Sequence, residues 1–179
     1  GKYRIVAELG RGGMSDVFLA MLAGPPGSGF SKFAVLKQLR ATLADDPEFV
    51  AMLLDEARIS ARLNHANVVQ THEVGEIDGR YYLAMEYLDG QPLHRIQRRA
   101  AANGAALGRD LEVVVLSDVL AGLHHAHELC DYDGTPLNVV HRDVTPHNVF
   151  VTYGGHVKVV DFGIAKAAHR STETHSGTL

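Results

Sequence analysis

The sequence predicts an α+β fold in two lobes, the first rich in β-strands and the second mostly helical. Two observations carry this expectation. Short apolar runs with strand-like alternation, separated by glycine-rich turns, fill the first third of the chain and resume at Val68. From Leu93 onward the apolar residues take up helical spacing, and the apolar runs beyond Val139 shrink to a few residues between tight polar loops. The boundary is placed at residue 87, giving lobes of 1–87 and 88–179.

The elements follow in order. Residues 3–9 form a first strand that runs into Gly10-Arg11-Gly12-Gly13, and residues 17–22 form a second. Gly24-Pro25-Pro26-Gly27-Ser28-Gly29 is a strong turn signal before a third strand at 33–39. With no helical period between them, these strands predict an antiparallel meander. A helix comes next: Asp45 or Asp46 can cap it and Pro47 suits its first turn. Phe49, Met52, Leu53, Ile59 and Leu63 recur at helical spacing, which places the end near Asn64-His65 and puts Glu56 on the apolar face. Strands at 68–74 and 81–87 flank a turn at Asp78-Gly79, and Leu88-Asp89-Gly90 reads as a linker. Helices are expected at 93–102 and 111–129, and short strands at 139–140, 149–152 and 157–160. Residues 167–179 are rich in Ser, Thr and His and show no period.

Composition excludes several classes. The chain has 179 residues, 46% of them hydrophobic, enough to bury a core. With 17 basic and 21 acidic residues its net charge is −4, which argues against a nucleic-acid partner. The single cysteine, Cys130, rules out an internal disulfide and fits a reducing compartment, so a cytoplasmic location is expected, compatible with a membrane anchor outside this stretch. No apolar run approaches the length of a membrane span, and the residues from Gly1 contain no signal-peptide core. Lacking an initiator Met, the chain is expected to be a piece of a longer protein.

Three groups of residues carry chemistry. Gly10 and Gly12 follow a strand and precede another, with Gly13 beside them, Ser15 where a third glycine often stands, and Val17 beyond. Glycines there let backbone N–H groups approach phosphate oxygens. A dinucleotide-binding turn is disfavoured, because it must open a helix and here a strand follows. Lys37 alternates with Val35 and Phe33 on one strand face, and an amine on an apolar face calls for a partner. Glu56 is the natural candidate. The third group is His141-Arg142-Asp143-Val144-Thr145-Pro146-His147-Asn148, followed thirteen residues after Asn148 by Asp161-Phe162-Gly163. One carboxylate there can accept a proton from an attacking hydroxyl, while the Asn148 amide and the Asp161 carboxylate offer hard oxygen ligands for Mg²⁺.

With these motifs in this order, the chain resembles the protein kinases, in particular the bacterial Ser/Thr kinases of eukaryotic (Hanks) type, from Gly1 to Leu179. The resemblance implies a bilobal kinase fold and transfer of the ATP γ-phosphate to Ser or Thr hydroxyls of proteins. It implies that Gly10, Gly12, Gly13 and Ser15 cover the phosphates, that Lys37 contacts them while held by Glu56, and that Val17, Val35 and Phe150 sandwich the adenine. Met85 is then the gatekeeper, and Glu86 and Leu88 belong to the hinge. Asp143 orients and deprotonates the acceptor hydroxyl, and Asn148 and Asp161 hold Mg²⁺, for which Mn²⁺ can substitute. Arg142 beside Asp143 is similar to kinases switched by phosphorylation of the activation segment, which makes Thr172 and Thr174 the preferred autophosphorylation candidates, with Ser171 and Ser176 behind them. Thr178 resembles the threonine that contacts the catalytic aspartate in Ser/Thr-specific members. The family's Ala-Pro-Glu motif is absent, so the sequence is expected to stop inside the activation segment, short of part of the second lobe.

Ser15 and Val35 depart mildly from the family pattern. Thr145 departs more: a lysine usually stands there, and losing one preorganised donor costs about 10²–10³ in rate. Tyrosine kinases also lack that lysine and often carry an arginine two positions later, where this chain has His147. The expectation is that a protonated His147 partly replaces the charge. Thr145 also sustains an alternative reading, a catalytically weak nucleotide-binding scaffold. Other features read as bland. His124, His125 and His127 cluster on a helix without a carboxylate or cysteine to complete a metal site. Arg95, Arg98 and Arg99 read as a solvated helix face, and 130–138 is a loop of no assigned purpose.

Overall fold

Three strands form the predicted meander: β1 (Tyr3–Arg11), β2 (Ser15–Ala23) and β3 (Ser31–Leu39). This computed structural model describes residues 2–162. Two further strands, β4 (Thr71–Ile77) and β5 (Arg80–Glu86), complete a five-stranded antiparallel sheet in the order β1-β2-β3-β5-β4. Its register explains its two faces. Val17, Lys37 and Leu83 form one cross-strand row and Leu19, Val35 and Met85 the next, all on the same face. Leu83 and Leu39 on this face pack with Leu53 and Ala57 of helix α1 (Pro47–Ser60). Ala20, Leu36, Tyr82 and Ala84 form a core on the other face, bordered by Tyr3 and Phe18. The sheet curls until its outer strands meet: Lys2 ion-pairs with Glu73 of β4, Tyr82 donates to the same carboxylate at 3.1 Å, and the Tyr3 and Tyr82 rings meet edge to face.

Helix α1 starts as its caps predict. Asp46 accepts a hydrogen bond from the Glu48 amide at 2.9 Å and Pro47 occupies the first turn. It ends at Ser60, earlier than the Asn64-His65 expected from periodicity. Leu63 keeps the apolar phase of the helix, but it is fully buried in a different unit.

The chain forms two compact units. Among the described residues, the first contains 2–61 and 70–87; the second contains 62–69 together with 88–162. The predicted strand 68–74 is therefore split. Val68 makes a parallel bridge to Val159, the Val69 amide donates to the Val159 carbonyl at 3.0 Å, and the Asn67 side chain donates to Val157 at 2.9 Å. These backbone demands draw 67–69 away from β4.

The second unit has a small sheet, β6 (Gly90–Pro92), β7 (Val149–Thr152) and β8 (Val157–Val159), with helices α2 (Leu93–Ala102) and α3 (Arg109–His127). Gly90, read as linker, is thus a strand residue. A Cβ there would lie 2.3 Å from the Val151 carbonyl oxygen, so only glycine permits the pairing. Residues 139–140 form no strand: Val139 is buried and Val140 exposed, both unpaired. The loop 130–138 is a tight hairpin closed by the Asp131 amide on Thr135 and the Leu137 amide on Leu129. Arg62 anchors it through a 2.7 Å bond to Asp131 while lying over the Tyr132 ring.

Gly122 of α3 faces residue 67, and a Cβ would fall 2.8 Å from the Asn67 carbonyl oxygen. Alanine is worth about 1 kcal/mol over glycine inside a helix, but overpacking against backbone costs about 1–3 kcal/mol. Gly122→Ala is therefore expected to lower stability by roughly 1–2 kcal/mol in denaturant melts, against its helix propensity.

Candidate functional site

The residues singled out by motif fall into two groups, one in each unit. In the first unit Lys37 and Glu56 are brought together. Lys37 stands near the C-terminal end of β3 and Glu56 on the inner face of α1, and Nζ lies 2.6 Å from Oε1. Both side chains are largely shielded from water, at 14% and 7% exposure. A pair this dry needs both members: removing one leaves a buried charge and costs about 3–5 kcal/mol, whereas an apolar pair of similar volume is often tolerated.

The glycine motif forms the hairpin between β1 and β2. The Gly12 amide donates to the Ser15 carbonyl at 2.7 Å, closing the turn, so this N–H is engaged within the protein. Gly10 and Gly13 have open space where a Cβ would stand. Ser15 is buried at the start of β2, and the Met14 carbonyl accepts from Arg40. Val17 and Val35 lie on the Lys37 face, with Met85 across from Val35. After Met85, the Glu86 amide donates to Gln70 and its carboxylate accepts from the Gln70 amide at 2.8 Å, fixing the strand end that leads to Leu88.

In the second unit His141 organises the loop 141–148. It is fully buried, accepts at Nδ1 from the Asp143 amide at 3.3 Å, and lies 3.0 Å from the Val160 carbonyl through Nε2. An accepting Nδ1 places the proton on Nε2, which then donates to Val160. Burial pushes His141 below the ordinary histidine range, so the ring is neutral; its face meets Phe162 at 4.6 Å. Arg142 and Asp161 both take left-handed backbone, at φ 63° and 54°, a conformation costing non-glycine residues about 1–2 kcal/mol. Such strain concentrates at functional sites.

Asn148 donates from Nδ2 to the Asp143 carboxylate and to its carbonyl, both at 3.0 Å. The amide oxygen is therefore the end left to face a hard cation. The Asn148 backbone N–H bonds Thr145 at 2.9 Å, closing a turn with Pro146 and His147 at its corners. Phe150 follows on β7 between Pro92 and Lys158. One neighbour of this loop escaped sequence reading. His94, at the start of α2, stacks on His147 with ring centroids 4.0 Å apart, and its amide donates to Pro146 at 3.0 Å. A lone histidine two residues past Pro92 gives no signal of this. Gly163 and the candidate phosphorylation sites Ser171, Thr172, Thr174 and Ser176, with Thr178, lie outside the described residues.

Two expectations follow. Glu56→Ala should destabilise the protein by about 3–5 kcal/mol, and Lys37→Met combined with Glu56→Leu by clearly less, in a double-mutant cycle read by denaturant melts. Because the folded state holds His141 neutral, protons bind the unfolded chain more tightly. Stability is present above about pH 6.5 and falls as pH drops below it, and His141→Asn should flatten part of that slope between pH 7.5 and 5.5.

Comparison with known proteins gives a consistent answer. The family model of the protein kinase domain matches residues 3–179. The tyrosine-protein kinase MasK of Myxococcus xanthus is 44% identical over the whole chain, which corresponds to 27% of MasK. The serine/threonine-protein kinase PrkC of Bacillus subtilis is 32% identical, again over the whole chain and 25% of its own length. The chain thus spans about a quarter of the length of these curated relatives. Among solved structures, the kinase domain of Mycobacterium tuberculosis PknI superposes with a TM-score of 0.70 at 30% identity, covering 92% of this chain and 60% of that one. The chain belongs to the protein kinase domain family.

Proposed function

We propose that the protein transfers the γ-phosphate of ATP to hydroxyl groups of proteins, with Ser and Thr as acceptors. The observation that carries this reading is the Asp143–Asn148 pair held in a loop pinned by buried His141. Asp143 is assigned as the base that orients the acceptor hydroxyl and takes its proton. Lys37, held by Glu56, is assigned to the α- and β-phosphates, and the Gly10–Ser15 backbone covers them. Val17, Val35, Met85 and Phe150 are assigned to the adenine, with the hinge at Glu86 and Leu88. The donor chemistry fits Mg²⁺, or Mn²⁺ in its place: Asn148 offers its amide oxygen and Asp161 its carboxylate. When bound, such an ion neutralises charge on the phosphate oxygens. Thr145 supplies no cation there, and His147 is the basic group nearest in the chain. Thr172 and Thr174 remain the proposed sites of autophosphorylation, and a cytoplasmic setting the proposed location. Among the described residues, no helix is long and apolar enough to cross a membrane.

One observation favours a second acceptor. MasK is named as a tyrosine kinase, and Thr145 replaces the lysine usual in Ser/Thr kinases. Phosphoamino-acid analysis after transfer from labelled ATP separates the two. The protein at its full natural length should label Ser or Thr, and Asp143→Asn should reduce the rate by about 10²–10⁴. Label confined to Tyr would reassign the acceptor. ATP binding without transfer in either protein would instead support the scaffold reading, with Thr145→Lys as the variant to restore activity.

A further inference from the structure

We propose that Arg95 and Arg98 of α2, joined through His94 to His147 of the catalytic loop, form with His147 a basic face that recognises acidic residues flanking the acceptor in the substrate polypeptide. This rests on the kinase reading above and adds a sequence preference to it.

Contacts within the second unit join α2 to the catalytic loop. The His94 and His147 rings stack at 4.0 Å with an interplanar angle of 19°, and the His94 amide donates to Pro146 at 3.0 Å. Pro146 and His147 are the corners of the turn closed by the Asn148 amide on Thr145, and Asn148 itself holds the Asp143 carboxylate. The first turn of α2 is thereby tied to Pro146 and His147, which immediately precede Asn148, the partner of Asp143. Arg98 follows His94 by four residues and so shares its helix face, and Arg95 flanks it.

The charge of this face is uncompensated locally. No Asp or Glu occurs between Asp89 and Asp110, a stretch that carries Arg95, Arg98, Arg99 and Arg109. Arg95 and Arg98 are exposed, and neither side chain makes an ion pair or hydrogen bond among the described residues. Burial first and His147 next hold His94 below the ordinary histidine range against the Pro146 hydrogen bond, and Arg95 and Arg98 act in the same direction, so their field reaches the stack. Guanidinium groups with no partner among the described residues, on the helix whose first turn is tied to the catalytic loop, suit the carboxylates of Asp and Glu, which they can bind bidentately. Lys or Arg in a substrate would meet repulsion there, so the face selects by exclusion as well as attraction.

The test uses the protein at its full natural length and two peptides with the same acceptor, one with Asp and Glu within three residues on each side, the other with Lys and Arg. kcat/KM for transfer and Kd by fluorescence anisotropy are measured for both. One or two charge-assisted contacts should give a preference for the acidic peptide of about tenfold, weakened at high salt. Arg95→Glu with Arg98→Glu should abolish or invert that ratio; because the ratio is taken within each variant, a loss of folded protein does not alter it. A wild-type ratio near one, a preference for the basic peptide, or a ratio unchanged in the double variant would overturn the proposal. So would an unchanged ratio together with lost binding to phosphatidylserine vesicles, which would assign the face to a membrane surface. The two levels of inference separate cleanly. Transfer without any preference removes the basic face and leaves the kinase. A binding preference without transfer keeps the face and removes the kinase.

Discussion

The second unit depends on one buried imidazole. His141 uses both ring nitrogens inside the protein, one on the Asp143 amide and one on the Val160 carbonyl. It thereby ties the loop that carries Asp143 and Asn148 to the segment that carries Asp161. A buried polar ring is tolerable only if fully satisfied, so its bonds and its neutral state are conditions of the fold as much as features of the site. The strained backbone at Arg142 and Asp161 lies on either side of this anchor, where surrounding contacts can hold it.

The first unit is organised on a comparable principle with opposite chemistry. Lys37 and Glu56 are charged, nearly dry and close, each making the other's burial acceptable. The strand register that aligns Val17, Lys37 and Leu83 puts the amine on the face covered by α1, while the curled sheet closes on itself around Tyr82 and Glu73.

Much of this was legible in the sequence because it is local. Strand alternation gave the sheet and the shared face of Val35 and Lys37, the Asp46-Pro47 signal gave the start of α1, and helical spacing put Glu56 inward. The errors arose where distant partners decide. Leu63 and Val68 carry the right periodicity for the elements preceding and following them, but Val159 and α3 claim that segment. Gly90 reads as a linker until Val151 is seen pressed against it. The His94–His147 stack joins residues 53 positions apart, one inside the loop motif and the other in no motif at all. In the site itself, residue types disclosed the candidate chemistry, whereas the tautomer of His141 and the clasp of Asn148 on Asp143 required coordinates.

The interleaved path of the chain also bears on how it folds. The segment at 67–69 finds its partner strand 90 residues later, as in the Asn67–Val157 bond. Contacts of such separation must close a long loop before any energy is returned, which raises contact order and slows folding. During synthesis this segment leaves the ribosome well ahead of β8 and must wait with Val68 and Leu63 uncovered. Nor is either unit a contiguous stretch: a cut between residues 87 and 88 would take from the second unit residues 62–69, with their bridge to Val159, and leave them attached to the first.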